Sequence, residues 1–309
     1  MIRIGVDLGG TKIEAIALDA EGRELGRRRV PTPAGYDNVV SAVRDLVLDV
    51  EQGVGPTCSV GIGTPGSVSP ATGLLRNSNS LALNGRPFAA DIAAALGREV
   101  RTANDADCFA LSEAVDGAGA DGHVVFGVIL GTGVGGGVVV GQRLWTGRNR
   151  IAGEWGHNAL PVRAGDRDDD PPPPRCWCGR LGCIETFLSG PALAADHAAR
   201  EGGTLDAQAI AALAEAGNAA AAQTMARFHE RLARALAAVV NLLDPDVVVL
   251  GGGLSNIDAV YDRVPALMAP HVFADRSSTP LRRARHGDSS GVRGAAWLWP
   301  LDRADTGPA

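Results

Sequence analysis

The sequence predicts an α/β protein built from two similar halves, and two observations lead to this prediction. A strand, a glycine-rich turn and a second strand open the chain, and the same pattern returns after residue 123. Helices and further buried strands follow each of these hairpins in alternation, as is typical of an α/β domain. Two halves that repeat one pattern are expected to face each other across a central cleft, where small molecules tend to bind.

The first half opens with a three-stranded meander. Its elements are, in order, the strands IRIGVD and IEAIALD around the turn LGGTK, the strand ELGRRRV, a helix over residues 37–51, the strand SVGIGTPG, the helix FAADIAAAL, the strand EVRTA and the helix DADCFALSEAV. Apolar residues at helical spacing support the first helix, and turn residues bound the strands. We expect a small α/β domain over residues 1–116, completed by a C-terminal helix over residues 289–309.

The second half begins with another glycine-centred hairpin. Its elements are the strands VVFGVIL and GVVVG around the turn GTGVGG, the polar proline-rich loop RAGDRDDDPPPP, a helix over residues 223–243 and the buried strand in DPDVVVLGGG. Residues 124–141 carry no charge, but they include seven glycines, which favours two strands over a membrane span. We expect a larger α/β domain over residues 117–288.

Composition limits the function further. The net charge of −6 over 309 residues argues against a nucleic-acid partner, which would require a basic face. Five cysteines are an odd number with no spacing typical of a disulfide framework, and no signal peptide precedes the first strand. The sequence therefore predicts a cytoplasmic protein with no membrane partner.

Three glycine turns at strand ends predict a nucleotide site. Glycine lets the backbone approach a phosphate closely, and clustered N–H groups bind anions. The first turn joins two strands, so it is neither a Walker loop nor a dinucleotide fingerprint, and a plain hairpin is the alternative. We expect phosphates near the first two turns and adenosine near the third. The residues are Gly9, Gly10, Thr11 and Lys12; Gly131, Thr132, Gly133, Gly135, Gly136 and Gly137; and Gly251, Gly252 and Gly253.

Lys12 is the only lysine of the chain, whereas arginine occurs 28 times. Arginine has replaced lysine everywhere else, so the position that keeps lysine is informative. Its place in the first glycine turn supports a phosphate-binding role for that turn.

Asp105 is the candidate catalytic base. It follows a short strand and opens a helix, with Asn104 directly before it and Asp107 two residues later. A helix N-cap accounts for one polar residue at such a boundary, but not for three. A carboxylate at this strand end could accept the proton of a hydroxyl that attacks a phosphoryl group.

Six motifs now establish a resemblance. DLGGTK, ANDAD, LGTGVGGG, GEWGH, CWCGRLGCIE and LGGG occur in the order seen in the ROK sugar kinases. From Ile4 to about Trp299 the chain resembles this family, which implies the two-domain actin-like ATPase/hexokinase (ribonuclease H-like) fold. The stretches AGEWGHN, ETFLSG and RHGDSSGVRGAAWLWP are most similar to bacterial fructokinases (mannofructokinases).

The resemblance also implies roles for individual residues. Asp105 matches the catalytic base, and Asp7 matches the acidic residue near a magnesium ion that accompanies ATP. The glycine turns match the ATP loops. The implied sugar-binding residues are Asn79, Asn104, Asp105, Glu154, His157 and Glu185.

The cysteine-rich motif predicts a structural zinc site in this context. Cys176, Cys178 and Cys183, with His157 upstream, would supply four protein ligands, as structural zinc sites require. The spacing C-x-C-x₄-C is tighter than the usual knuckle, and the alternative is three buried small side chains. The exposed character of the surrounding loop favours zinc.

The favoured function is an ATP-dependent kinase that phosphorylates D-fructose at the 6-hydroxyl, with mannose and glucose as weaker substrates. The sugar-binding set suits a hexose in general, and fructose rests on the resemblance alone. The alternatives are a kinase of N-acetylglucosamine or N-acetylmannosamine, a glucokinase, a ROK-type repressor and, weakest, an actin-like or chaperone-type ATPase. Dimers are common in the family, so a homodimer is expected.

Overall fold

The computed structural model describes residues 2–55, 59–78, 80–162 and 172–300. The chain divides into two compact units. One comprises the chain up to Asp121, the segment Gly137–Ala152 and the segment from Arg285 onward, and the other comprises Gly122–Gly136 and Gly153–Ala284. The expected boundaries were 1–116 and 117–288. The first unit instead extends to Asp121, takes up its last segment from Arg285, and includes the segment Gly137–Ala152, which the sequence does not suggest.

The first unit is built on a five-stranded sheet with the order β3-β2-β1-β4-β7. Its strands are β1 (Arg3–Leu8), β2 (Lys12–Leu18), β3 (Glu24–Pro31), β4 (Ser59–Thr64) and β7 (Val100–Asn104). The meander β1-β2-β3 is antiparallel, whereas β4 and β7 run parallel to β1. The short strands β5 (Ser67–Val68) and β6 (Leu75–Arg76) form a separate hairpin.

The described residues of this unit form the helices α1 (Tyr36–Val54), α2 (Phe88–Leu96), α3 (Asp105–Val115) and α9 (Ser290–Trp297). The buried face of α1 confirms the helix predicted from periodicity, since Val39, Val43, Leu46, Val47 and Val50 all lie in the core. Each such side chain contributes about 1.5–3 kcal/mol when fully buried.

The helix α9 completes the first unit by packing closely on β4 and α3. A Cβ atom on Gly61 would lie 1.8 Å from the carbonyl oxygen of Ala295, and one on Gly294 would lie 1.6 Å from that of Cys108. Only glycine permits backbones to approach this closely. The C-terminal helix expected over 289–309 ends at Trp297, and the last part of that range, 301–309, lies outside the described residues.

The second sheet has the order β10-β9-β8-β11-β12. Its strands are β8 (Val124–Leu130), β9 (Val134–Val140), β10 (Arg143–Leu144), β11 (Val247–Gly251) and β12 (Leu281–Arg283). The strands β8 and β12 both pair with β11 in parallel. The helices of the second unit are α4 (Glu185–Leu188), α5 (Gly190–Glu201), α6 (Ala207–Glu215), α7 (Ala219–Leu243) and α8 (Asp258–Met268).

The charge-free stretch 124–141 forms the two strands β8 and β9, as its glycines predict. Both strands are largely buried. Within the part of the chain that the structure describes, we find no helix with the length and apolar surface needed to cross a lipid bilayer.

Candidate active site

The carboxyl end of the first sheet brings together the polar residues predicted from the ends of separate strands. In the sheet register Asp7 lies opposite Gly63, and Thr64 lies opposite Asn104. Because β1, β4 and β7 are parallel, Asp7 and Asn104 emerge at the same edge, and Asp105 follows at the start of α3. This edge is where α/β sheets usually bind their ligands.

The charge of Asp105 acts on the titration of Asp7. Burial, together with the negative charges of Asp105 and Glu14, raises the pKa of Asp7 to about 6 despite the opposing charge of Lys12. The pKa of Asp105 is also raised, because neighbouring protein atoms displace water from its carboxyl group, and this outweighs the hydrogen bonds from Ala106 and Asn104 that lower it. Two adjacent carboxylates of raised pKa can hold a divalent cation, and one of them can accept a proton near neutral pH.

Asn104 is the N-cap of α3. Its Oδ1 accepts a hydrogen bond from the backbone N–H of Ala106 at 2.8 Å, and its Nδ2 donates to the carbonyl oxygen of Gly66 at 3.1 Å. The capping alternative is therefore correct for this residue. The Asn104 side chain also hydrogen-bonds the carboxylate of Asp105, which opposes the rise of the Asp105 pKa. The predicted contact between Asn104 and a sugar stays a prediction.

The first glycine turn is closed by a hydrogen bond from Gly9 N–H to the carbonyl oxygen of Lys12, at 3.0 Å. Gly10 and Thr11 at its tip are exposed. The side chain of Lys12 is 45% exposed, and its Nζ lies 3.8 Å from Oε2 of Glu14. Its positive charge lowers the pKa of Asp7. The turn thus presents exposed backbone and a cation beside the two carboxylates.

Glu14 belongs to this charged cluster, although sequence reasoning did not single it out. Its side chain is 3% exposed and accepts hydrogen bonds from Arg27 and Arg29. Burial alone would raise the pKa of Glu14, but these hydrogen bonds outweigh burial and lower it. A carboxylate in the apolar strand KIEAIAL was the signal that could have identified it.

The second glycine turn covers Gly131 to Gly133 at the carboxyl end of β8. Gly131 donates its N–H to the carbonyl oxygen of Gly133 at 3.0 Å, and its own carbonyl oxygen accepts the N–H of Gly190 at 2.8 Å. The next residue, Val134, donates its backbone N–H to Oε2 of Glu185 at 3.0 Å. This turn therefore contacts one of the predicted sugar-binding residues directly.

The turn is shorter than the sequence predicts. Gly135, Gly136 and Gly137 lie inside strand β9. A Cβ on Gly136 would lie 2.8 Å from the ring of Trp155, and one on Gly137 would lie 2.8 Å from Ala110 of α3. Close packing of the strand therefore explains why Gly136 and Gly137 are glycines, with no need for a nearby nucleotide. The role of these glycines at ATP stays a prediction.

The third glycine sequence ends strand β11. Gly251 is its last residue and pairs with Ile129 of β8, so this strand end lies beside the second turn. Gly252 has φ of 80°, and a Cβ there would lie 2.5 Å from the carbonyl oxygen of Leu130. Gly253 follows and accepts a hydrogen bond from Gln208 at 2.9 Å. Two glycine turns thus share one edge of the second sheet, and their roles as a phosphate loop and an adenosine loop stay predictions.

The four predicted metal ligands lie together. The ligand atoms of His157, Cys176, Cys178 and Cys183 are all within 4.8 Å of one another. Cys178 and Cys183 have their sulfurs 3.6 Å apart, and Cys176 Sγ lies 3.6 Å from His157 Nδ1. A tetrahedral zinc ion with Zn–S bonds of about 2.3 Å would separate two sulfurs by about 3.8 Å, so the donor set fits zinc.

The local backbone explains how the loop brings these ligands together. Cys176 donates its N–H to the carbonyl oxygen of Arg180 at 2.8 Å, and Gly179 adopts φ of 90°, which closes a tight turn around Cys178. Isolated bridges join Ala159 to Cys183 and Arg175 to Leu181. The loop is thereby tied to the segment that carries His157.

The predicted sugar-binding residues of the second unit lie around this loop. His157 uses Nδ1 in the metal cluster, which leaves Nε2 on the other side of the ring. Glu185 begins α4, and Glu154 precedes His157 with an exposed side chain. Trp177, which the sequence did not single out, donates its indole N–H to Oε1 of Glu185 at 2.7 Å. Asn79, the remaining prediction, lies outside the described residues.

Comparison with known proteins places these features in a family. The model of the ROK family matches residues 3–301. An N-acetyl-D-glucosamine kinase of Pectobacterium atrosepticum is 42% identical over 300 residues, which cover 96% of this chain and 99% of that protein.

Solved structures agree on the fold. The ROK hexokinase of Thermus thermophilus has a TM-score of 0.85 at 32% identity, covering 96% of this chain and 97% of its own. A ROK family glucokinase of Streptomyces griseus, in complex with glucose and AMPPNP, has a TM-score of 0.75 at 29% identity, covering 96% of this chain and 99% of its own. The actin-like ATPase/hexokinase fold predicted from the sequence is confirmed.

Proposed function

The chain belongs to the ROK family, and we propose that within this family it is an ATP-dependent kinase of N-acetyl-D-glucosamine. The observation that carries the proposal is the 42% identity to an N-acetyl-D-glucosamine kinase over nearly the full length of both chains. Further N-acetyl-D-glucosamine kinases, from Salmonella and Citrobacter, are 42 to 44% identical over the same length. Sugar kinase activity follows from the family, and the acetylated acceptor is the finer step that we propose.

This choice replaces fructose as the first candidate. The resemblance of three short stretches favoured fructose, but the relatives matched over nearly their full length support the acetylated alternative better. Fructose, mannose and glucose become the competing acceptors, and the glucokinase of Streptomyces griseus is the reason to keep glucose among them.

The reaction assigned to Asp105 is proton transfer. The 6-hydroxyl oxygen of the sugar forms a bond to the γ-phosphorus of ATP, its proton passes to Asp105, and the bond from phosphorus to the bridging oxygen breaks to release ADP. The raised pKa of Asp105 supports this role, because a stronger base takes up the proton more readily. Asn104, as its capping neighbour, holds the start of α3 in place.

Mg²⁺ bound with ATP would neutralise charge on the phosphates, and Asp7 is the carboxylate that we assign to it. The ammonium group of Lys12 and the exposed backbone of the first glycine turn, which belong to the same unit as Asp7, would bind phosphate oxygens. The turns at Gly131–Gly133 and Gly251–Gly253 are assigned to the remaining phosphates and to adenosine.

Recognition of the sugar is assigned to Glu154, His157 and Glu185, together with Asn79 and Asn104 in the predicted set. Carboxylates accept hydrogen bonds from sugar hydroxyls, and a polar site discriminates strongly against analogues that lack a matching group. Zinc held by His157 Nδ1 and the three cysteines would be structural, since all four ligands come from the protein. Its contribution would be to fix the ring of His157.

The deciding experiment compares acceptors under one condition. The purified protein, with ATP and Mg²⁺, is assayed for kcat/KM on N-acetyl-D-glucosamine, N-acetylmannosamine, glucose, mannose and fructose. We expect N-acetyl-D-glucosamine to lead by tenfold or more. A lead of that size for fructose would restore the first candidate. Failure to phosphorylate any of the five sugars would refute the kinase assignment for these acceptors.

A further inference from the structure

Trp177 lies between two cysteines of the metal cluster and is 68% exposed. Its indole N–H donates to Oε1 of Glu185 at 2.7 Å, and the edge of its ring meets the ring of His157, with centroids 5.0 Å apart. A single tryptophan therefore contacts two of the residues assigned to sugar recognition. The flanking residues Cys176 and Cys178 fix its backbone whenever the metal is bound.

The carboxylate of Glu185 is held from both sides. Trp177 binds Oε1, whereas Oε2 accepts the backbone N–H of Val134 in the second glycine turn. Cys176 Sγ also lies 3.8 Å from Oε1. Donors on both oxygens fix the plane of the carboxylate. The orientation of the remaining acceptor positions is therefore set before a sugar arrives.

We propose that Trp177 is a positioning residue for sugar recognition, through which the cysteine-rich loop orients Glu185. The loop fixes the indole, and the indole N–H aligns the carboxylate that receives the sugar hydroxyls. The metal then acts on sugar affinity through one identified hydrogen bond, besides its effect on His157. This inference rests on the proposed sugar-binding role of Glu185.

The test separates the N–H from the ring. Trp177→Phe keeps an aromatic edge for His157 and removes the donor, whereas Trp177→Tyr keeps both a ring and a donor group. Hydrogen bonds to charged groups are among the stronger ones, so we expect the KM for N-acetyl-D-glucosamine to rise about tenfold in the Phe variant and less in the Tyr variant. The KM for ATP and the zinc content should stay within twofold of the parent values.

A matched control and a double variant complete the design. Trp145, which is 59% exposed in the first unit, supplies the control Trp145→Phe, for which an unchanged sugar KM is expected. If Trp177 acts through Glu185, adding Trp177→Phe to Glu185→Gln should raise the sugar KM no further than Glu185→Gln alone. Calorimetric titration with the sugar in the absence of ATP should give the same pattern in Kd.

Three results would overturn the proposal while leaving the kinase assignment intact. The first is an unchanged sugar KM in Trp177→Phe, and the second is equal KM values for the Phe and Tyr variants. The third is a lower KM in Trp177→Phe, which would mean that the indole competes with the sugar for Glu185. If the parent protein phosphorylates no sugar, the proposed function fails instead.

Discussion

Val134 donates its backbone N–H to the carboxylate of Glu185 at 3.0 Å, and this bond joins a glycine turn to a residue assigned to sugar recognition. Gly133, directly before Val134, makes the bond possible, because a Cβ at that position would lie 2.7 Å from the same carboxylate oxygen. The turn predicted to bind phosphate thus also holds the carboxylate of Glu185, which we assign to sugar recognition.

The substitution Gly133→Ala should therefore weaken sugar binding. The added methyl group must displace Oε2 of Glu185, so we expect the sugar KM to rise about tenfold, in line with loss of a hydrogen bond to a charged group. Steady-state kinetics with varied sugar and saturating ATP measure the effect. Gly53→Ala is the control, since a Cβ there meets nothing within 4 Å. Equal sugar KM values for the two variants would contradict this account.

Asp105→Asn should abolish most of the turnover. Asparagine keeps the shape of the side chain but cannot accept the proton of the attacking hydroxyl, so kcat should fall by about 10² or more. ATP and sugar binding, measured separately by calorimetry, should be retained. Turnover close to that of the parent protein would show that Asp105 is not the catalytic base and only begins helix α3.

Asp7→Asn should stabilise the protein while impairing catalysis. The pKa of Asp7 rises from 3.8 to about 6 on folding, so the folded state binds this proton more tightly than the unfolded state. The contribution of Asp7 to stability is therefore fully present below about pH 4 and is lost as pH rises through about 6. At pH 8 the loss of this contribution lowers the free energy of unfolding by up to about 3 kcal/mol relative to pH 4, which corresponds to a shift of about 2 pK units.

Urea unfolding of Asp7→Asn and the parent protein, without magnesium or ATP, tests this linkage. The asparagine variant should have the larger free energy of unfolding at pH 8, and the advantage should shrink as pH falls toward 4. An advantage that is the same at all pH values would show that the Asp7 carboxyl does not titrate as described.

Lys12 permits a chemical test because it is the only lysine of the chain. An amine-reactive acetylating reagent should modify this partly exposed side chain and remove its charge, and kinase activity should decline in parallel. ATP should protect against both effects. Peptide mass spectrometry locates the modification, and Lys12→Arg, which the reagent cannot acetylate, controls for reaction at the N-terminus. Full activity after complete acetylation of Lys12 would exclude a phosphate role for the lysine.

Cys183→Ser should release the metal. A serine hydroxyl is a poor zinc ligand, so metal content should fall from about one zinc per chain to near zero, and Tm should fall by at least about 5 °C because metal binding is coupled to folding. Elemental analysis and differential scanning calorimetry measure the two quantities. An active parent protein without stoichiometric metal would refute the site.

The predictions that succeeded from sequence rest on local patterns. Strand–turn–strand hairpins, the periodicity of α1 and the spacing of the cysteines are each encoded within a short stretch, and the structure shows the hairpins, the helix and the clustered ligands. The same local logic extended the second glycine turn too far. Glycine favours turns, but Gly136 and Gly137 lie within strand β9. Trp155 and Ala110, from other parts of the chain, pack so closely there that a larger side chain would clash.

By itself, the sequence determined the fold class and the family, because motif order and residue type do not depend on distance. It also supplied the candidate residues for the chemistry. Only the tertiary structure decided how those residues act on one another. The pKa of Asp7 depends on Asp105, 98 positions away, and the orientation of Glu185 depends on Trp177 and Val134. Electrostatic fields and hydrogen bonds act through space, so their partners are fixed only once the sheets and loops have packed.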